Sequence, residues 1–182
     1  MSRGVRFKTL TLTDFAISVS DYLRRNGIQV VLSGGACVSI YTDNKYMSDD
    51  LDLVLISSEE QKKTKALILA LGFVEKGRYF CHADSNFFLD FLPPPLSVGN
   101  EPVKQISEIR KGKRILKLLS PTDCVKDRLA AYYHWNDKQA LEQAVLVCRD
   151  QSVDLAEVRR WSAAEGMAEK FEIFKRRLSR NP

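Results

Sequence analysis

No apolar run in this 182-residue chain approaches the ~20 residues that a membrane-spanning helix needs, so no membrane association is expected. Histidine is scarce. His82 and His134 are the only two, and they fall at no spacing that would make a zinc site with the cysteines. The four cysteines, Cys37, Cys81, Cys124 and Cys148, are far apart and include no Cys-x-x-Cys, which leaves buried, reduced thiols in a cytoplasmic protein as the expectation. Neither a Gly-x-Gly-x-x-Gly fingerprint nor a P-loop lysine occurs, so dinucleotide-binding and P-loop readings fall away. Met1–Arg6 leads into no apolar stretch of the length a secretion signal requires. No internal repeat or low-complexity segment is present.

Against these absences stands Asp50-Leu51-Asp52, at the head of the apolar run Leu53–Ile56. Residues two apart on a strand share a face, so both carboxylates project to one side while Leu51, Leu53 and Leu55 line the other. Paired anions on an apolar strand repel each other and are poorly solvated. An isolated Asp-x-Asp is more often a turn-ending pair than a ligand pair, but here a second element precedes it. Ile28–Leu32 reads as a buried strand, Ser33-Gly34-Gly35 as a glycine turn, and Ala36–Tyr41 as a short helix. Such a turn lets backbone N–H groups approach a phosphate at a helix N-terminus. A third element, Asn86–Leu92, carries one acid, Asp90, on a strand-like run where Phe88, Asp90 and Leu92 share a face. A lone buried carboxylate seeks a cation or shifts its pKa. Mg²⁺ fits this donor set, because it takes one or two carboxylates and completes its shell with water and phosphate oxygens.

Gly34-Gly35, the helix and loop 36–49, Asp50-x-Asp52 entering a strand and Asp90 in a later strand resemble the nucleotidyltransferase superfamily of DNA polymerase β type. Ser48-x-Asp50-x-Asp52, and Leu119-Ser120-Pro121-Thr122-Asp123 opening a helical segment, are most similar to the bacterial toxin branch associated with abortive phage infection. That branch carries a Lys and then Arg-Asp-x-x-Asp in its helical part. Here Lys126 or Arg128 stands for the first, and of the second only Asp137 matches, within Asn136–Ala140. The resemblance implies two Mg²⁺ ions held by Asp50, Asp52 and Asp90, with the three carboxylates converging on one point. It implies a nucleoside triphosphate held by Ser33, Gly34, Gly35 and Ser48, with Lys126 or Arg128 against its charge. It also implies transfer of a nucleoside monophosphate to a hydroxyl of RNA, a protein or a small molecule, with Asp90 assisting deprotonation. A toxin of this kind brings with it the question of a partner protein.

The expected architecture is α/β (α+β): a mixed-sheet core over residues 1–119, flanked by helices, and a small helical unit over 120–182. Helices are expected over Thr13–Arg25 with Thr13 as cap, from Ser57 as a capping-box residue to Leu71, from Pro121 to about Trp135, over Lys138–Cys148, over Asp154–Arg160 and over Ala163–Leu178. Short strands are expected at Phe73–Lys76, Arg78–Cys81, Gln105–Ile109 and Ile115–Leu118, with Leu96–Lys104 as a loop. Tyr132–Trp135 is expected to pack on the strand domain, with base stacking as the alternative.

The net charge of +5 gathers in Arg110–Arg114 and in Lys170 to Arg180. A basic run of this size reads first as a solvated face, and second as a contact for a polyanion. The alternative to an enzyme is therefore a degenerate fold that binds nucleotide or RNA.

Overall fold

Apolar strands with no helical periodicity organise the chain. The computed structural model describes residues 7–180; Met1–Arg6, with the reading made of it above, lies outside them. Val30–Ser33 (β1) pairs antiparallel with Asp50–Leu55 (β2), Val31 facing Val54 and Ser33 facing Asp52. The chain then adds Val74–Lys76 (β3), Tyr79–Cys81 (β4) and Phe88–Leu92 (β5) on one side, and Ile106–Lys111 (β8) with Arg114–Leu119 (β9) on the other. The resulting seven-stranded sheet has the order β3-β4-β5-β2-β1-β9-β8. It is mixed, because β2–β5 and β1–β9 run parallel and the other pairs run antiparallel. The segment expected as a loop after the triple proline instead holds a two-stranded hairpin, Ser97–Val98 (β6) with Glu101–Pro102 (β7). Gly99, at φ +58, supplies the left-handed turn that a string of polar residues concealed.

Helix α1, Leu12–Arg25, packs on β9 and β1. Its cap is Thr11 rather than Thr13: the Thr11 side chain accepts from the Asp14 N–H at 3.1 Å. Burial of Leu12 starts the helix one residue before Thr13. Gly34–Tyr41 (α2) follows β1 directly, and Gln61–Ala70 (α3) follows a short 3-10 turn capped by Ser57. Pro121–Trp135 (α4) starts as its sequence predicts, with the Ser120 hydroxyl accepting from Asp123 N–H. Asn136 then turns left-handed, and Asp137 caps Lys138–Asp150 (α5) by accepting from Ala140 N–H.

The last two helices are Leu155–Ala164 (α6) and Ala168–Ser179 (α7), broken at Gly166 rather than before Ala163. Gly166 adopts φ +72, which ends the first helix one turn later than side-chain periodicity suggests. Tyr132 and Tyr133 are buried, but not against the sheet. Tyr133 stacks on Trp161 of α6 at 5.8 Å between centroids, and its hydroxyl lies 2.8 Å from Ser162 Oγ. Burial pushes the Tyr133 phenol up to about 12. Trp135 is exposed. One hydrophobic cluster runs from Phe7 to Phe174, joining the sheet core to the C-terminal helices. The four cysteines are free, Cys37 and Cys124 fully buried.

Trp161 is fully buried, and its indole N–H donates to Val98 O at 3.2 Å, tying α6 to the β6–β7 hairpin. Trp161→Ala is expected to cost ~3–5 kcal/mol through the cavity and the orphaned carbonyl, read by urea denaturation; Trp161→Phe should cost less.

Candidate active site

The parallel register of β2 and β5 sets Asp50 opposite Phe88 and Asp52 opposite Asp90. Neighbouring strands keep paired side chains on one face, so Asp50, Asp52 and Asp90 share a face and Asp52 stands beside Asp90. Leu51, Leu53 and Leu89 alternate to the opposite face and are fully buried. The pairing continues outward: Asp90 faces Tyr79, which faces Lys76. A row of five residues, Ser33, Asp52, Asp90, Tyr79 and Lys76, thus crosses the sheet.

Gly34 closes this row from β1. It sits at φ +69, and a Cβ there would overlap Asp52 Oδ2. Only glycine permits both the left-handed backbone and the close approach of the carboxylate. A Cβ at Gly35 would meet Ser48 Oγ and the Tyr46 ring at 3.1–3.3 Å, so the turn stands against the loop that leads into β2. Ser33 precedes α2 without capping it; its hydroxyl donates instead to Asp52 O at 3.3 Å. Ser48 is buried and donates to Asp50 Oδ1 at 2.7 Å, while its own N–H donates to Ser39 Oγ at 3.0 Å. Ser48 therefore fixes the Asp50 rotamer.

The carboxylates are electrostatically loaded. Burial, and then the charge of Asp50, push Asp52 up to about 6. Burial also raises Asp90, and Asp50 adds to this, while the Arg78 guanidinium pulls the other way. Arg78 Nη2 lies 3.0 Å from Asp90 Oδ2, yet that buried oxygen makes no hydrogen bond. The contact is thus an ion pair without hydrogen-bond geometry.

The expected convergence of all three carboxylates on one point is not seen. Among the described residues no group of three or more His, Cys, Asp or Glu side chains is gathered to hold an ion. Ser48 donates to Asp50 Oδ1, and Arg78 lies against Asp90 Oδ2. The donor set still fits a hard divalent cation. It offers carboxylate oxygens alone, on one face of adjacent strands, one of them orphaned and two of the groups destabilised as anions.

The two candidate cations of α4 part company. Arg128 is largely buried, pairs with Asp127 at 2.6 Å and reaches Gln143, and its charge lowers Asp52. Burial opposes the charge on Arg128, and Asp127 more than compensates. Lys126 binds Glu157 at 2.7 Å and Asp123 at 3.3 Å, in a network that Arg160 extends to Glu101. Arg160 and Lys126 together hold Glu157 down to about 2. Arg128, not Lys126, is the cation brought to the carboxylates. Asp137 serves as the α5 cap, and its charge reaches Tyr46.

The basic clusters are mostly engaged: Lys111 with Asp14, Arg110 with Glu108, Arg177 with Glu142, and Lys170 with Tyr132 and Tyr133 carbonyls. Residues that sequence reasoning did not single out are Arg78, Tyr46 and Asp127. Only Arg78 carried a local signal, as a cation next to Gly77 in a tight turn between two short strands.

Beside Asp50 opens a cleft of about 590 Å³, lined by Asp49, Asp50, Lys76, Tyr79, His82 and Phe88 among others.

No protein-family model and no curated protein sequence matches the chain. Solved structures do. The chain is similar to the antibiotic-resistance factor ANT(2'')-Ia in solution, with 17% identity over 94% of this chain and 96% of that one at TM-score 0.54. It is similar to the crystal structure of ANT(2'')-Ia in complex with adenylyl-2''-tobramycin, with 15% identity over 92% and 98% at TM-score 0.52. An antigenic nucleotidyltransferase-like protein from Paracoccidioides brasiliensis matches with 12% identity over 91% and 95% at TM-score 0.56. The mixed sheet, its flanking helices and this likeness together give the chain the fold of the nucleotidyltransferases.

Proposed function

We propose that this chain is a metal-dependent nucleotidyltransferase that moves a nucleoside monophosphate from a triphosphate to a hydroxyl acceptor. The observation that carries the reading is the register pairing of Asp52 with Asp90, with Asp50 on the same face and Gly34 closing against Asp52. A binding module would gain nothing from three carboxylates on one face, two of them destabilised as anions. The likeness to ANT(2'')-Ia, seen with an adenylylated aminoglycoside, supports the same class.

Asp50 and Asp52 would hold the cation, joined by Asp90. When bound, Mg²⁺ would neutralise triphosphate charge and align the reacting oxygens. Ser48 keeps Asp50 in place. The backbone N–H groups of Gly34 and Gly35, at the start of α2, would face the phosphates. Arg128 adds positive charge from behind Asp52. Asp90, whose Oδ2 accepts no hydrogen bond and whose burial strengthens it as a base, would accept the acceptor hydroxyl's proton as pyrophosphate departs. The cleft over Tyr79 and Phe88 is where the acceptor would enter. Within the superfamily, Ser48 beside Asp50 and the Ser120–Asp123 cap favour the abortive-infection branch. Its toxin activity and any partner protein belong to the proposal, as do the divisions at residue 119 and the cytoplasmic setting.

Incubation with each labelled triphosphate, Mg²⁺ and total RNA or protein should transfer label and release pyrophosphate, and Asp50→Ala and Asp90→Asn should lose both. Metal-independent RNA binding that follows Lys113, Arg114 and Lys175–Arg177, ignores Asp50→Ala and weakens steeply with salt would overturn the enzyme.

Gly34→Ala should abolish transfer and destabilise the protein by about 1–3 kcal/mol, because it forces a left-handed alanine against Asp52. A melting temperature and activity both equal to wild type would contradict the close approach.

The raised Asp52 makes a signed stability prediction. A carboxyl whose folded pKa exceeds its unfolded value contributes stability while protonated and loses it as pH rises through the folded value. Between about pH 4 and pH 6 the ion-free protein should therefore lose stability on this account. At pH 7 with EDTA, Asp52→Asn should be more stable than wild type by on the order of 2 kcal/mol, and the gap should close below pH 4. Denaturant titrations at both pH values provide the measurement, and added Mg²⁺ should stabilise wild type alone.

A further inference from the structure

The hairpin β3–β4 turns through two residues, Gly77 and Arg78, since Lys76 already pairs with Tyr79. Gly77 adopts φ +63, and nothing lies within 4 Å of the position its Cβ would take, so the turn projects into solvent at the edge of the sheet. From that tip the Arg78 side chain, 66% exposed, reaches back to an Asp90 side chain that is 5% exposed. Its guanidinium also lies 4.8 Å from the centre of the Tyr79 ring, the residue next to Asp90 in the row.

A structural arginine–carboxylate pair is forked and hydrogen-bonded, with both partners held. This one is not: the distance is 3.0 Å, but Asp90 Oδ2 receives no hydrogen bond. The arm is mostly hydrated already, so leaving Asp90 requires little resolvation, and exposed pairs of this kind are weak. The Tyr79 face, which the guanidinium already overlies, holds the cation when Asp90 is given up. A cleft of about 380 Å³ that Arg78, Gly77, Lys62 and Glu75 help to line gives the arm room. Asp50, held by Ser48, has no such competitor. Of the three carboxylates, Asp90 is the one paired with an exposed cation of the protein's own.

We infer that Arg78 is a positioning residue that occupies Asp90 in the ion-free protein and that gives up Asp90, while keeping its place over the Tyr79 ring, when a divalent cation binds. This rests on the metal-site reading given above. It explains why the three carboxylates share a face without gathering. Arg78 keeps Asp90 from standing as an unpaired buried anion, and the ion must outcompete it. The displaced guanidinium then remains at the mouth of the Tyr79–Phe88 cleft.

Mn²⁺ binding to the full, nucleotide-free chain tests this, with free Mn²⁺ followed by electron paramagnetic resonance at fixed pH and ionic strength. Arg78→Ala should tighten Mn²⁺ by roughly three- to fivefold, the range of one exposed ion pair. Lys76→Ala, which removes an equal charge from the same row, should change affinity by less than about twofold through its field alone. Arg78→Lys should fall near wild type. A second readout needs no variant to fold: Mg²⁺ should shift the Arg78 Nε–Hε NMR resonance in the native protein, and Asp90→Asn should abolish that shift. Equal effects of Arg78→Ala and Lys76→Ala, or an Arg78 resonance indifferent to Mg²⁺, would overturn the inference. The metal-site reading fails separately if Asp52→Asn binds Mn²⁺ as wild type does.

Discussion

The parallel pairing of β2 with β5 is the constraint on which this site depends. It places Asp52 next to Asp90 across one strand spacing, from residues 38 positions apart in the chain. A one-residue slip would send Asp90 to the opposite face, into the layer of Leu53 and Leu89. That slip is forbidden by burial, because Leu51, Leu53 and Leu89 are fully enclosed on the other side. The apolar residues thus enforce the register, and the register assembles the acids. Buried apolar residues and candidate acids alternate along the same two strands.

The acids in turn shape what surrounds them. Asp52 stands so close to β1 that only glycine can occupy position 34. The left-handed turn this requires starts α2. Around this negative centre the protein distributes three kinds of compensation. Ser48 donates a hydrogen bond to Asp50, Arg128 lends buried charge toward Asp52, and Arg78 reaches Asp90 from the surface. None of the three supplies a full cage of donors, and Asp52 is left with a raised pKa. On the reading proposed above, a bound cation supplies the charge that is missing.

The C-terminal helices are more than an appendage to the sheet. Helix α4 packs on α2 and brings Arg128 to the carboxylates, while the adjacent turn of the same helix commits Lys126 to Glu157 and Asp123. Two cations two residues apart on a helix point in different directions, and here the difference separates the active-site side from the interface with α6. Tyr133, Trp161 and Ser162 fasten that interface from within. The stacking aromatics serve the helical layer, and the surface basic clusters mostly find local partners.

Sequence alone determined the strand-borne acids, the glycine turn and the order of most elements, because these depend on local periodicity and on residues with narrow conformational preferences. Asp50 and Asp52 had to share a face, Leu51 and Leu53 had to share the other, and Pro121 after Ser120 had to open a helix. What local pattern could not decide was anything set by long-range pairing. The helix start at Leu12, ahead of the expected cap Thr13, depended on burial of Leu12; the break at Gly166 depended on how α6 and α7 meet; the β6–β7 hairpin depended on the left-handed turn at Gly99. Above all, the only mark Arg78 carries in the chain is its place beside Gly77 in a tight turn, which says nothing of Asp90. Its meaning comes from the antiparallel register of β4 with β5, which places Tyr79 opposite Asp90 and so brings a turn-tip cation to a buried acid. Strand register is a property of the assembled sheet, and only the tertiary structure could fix it.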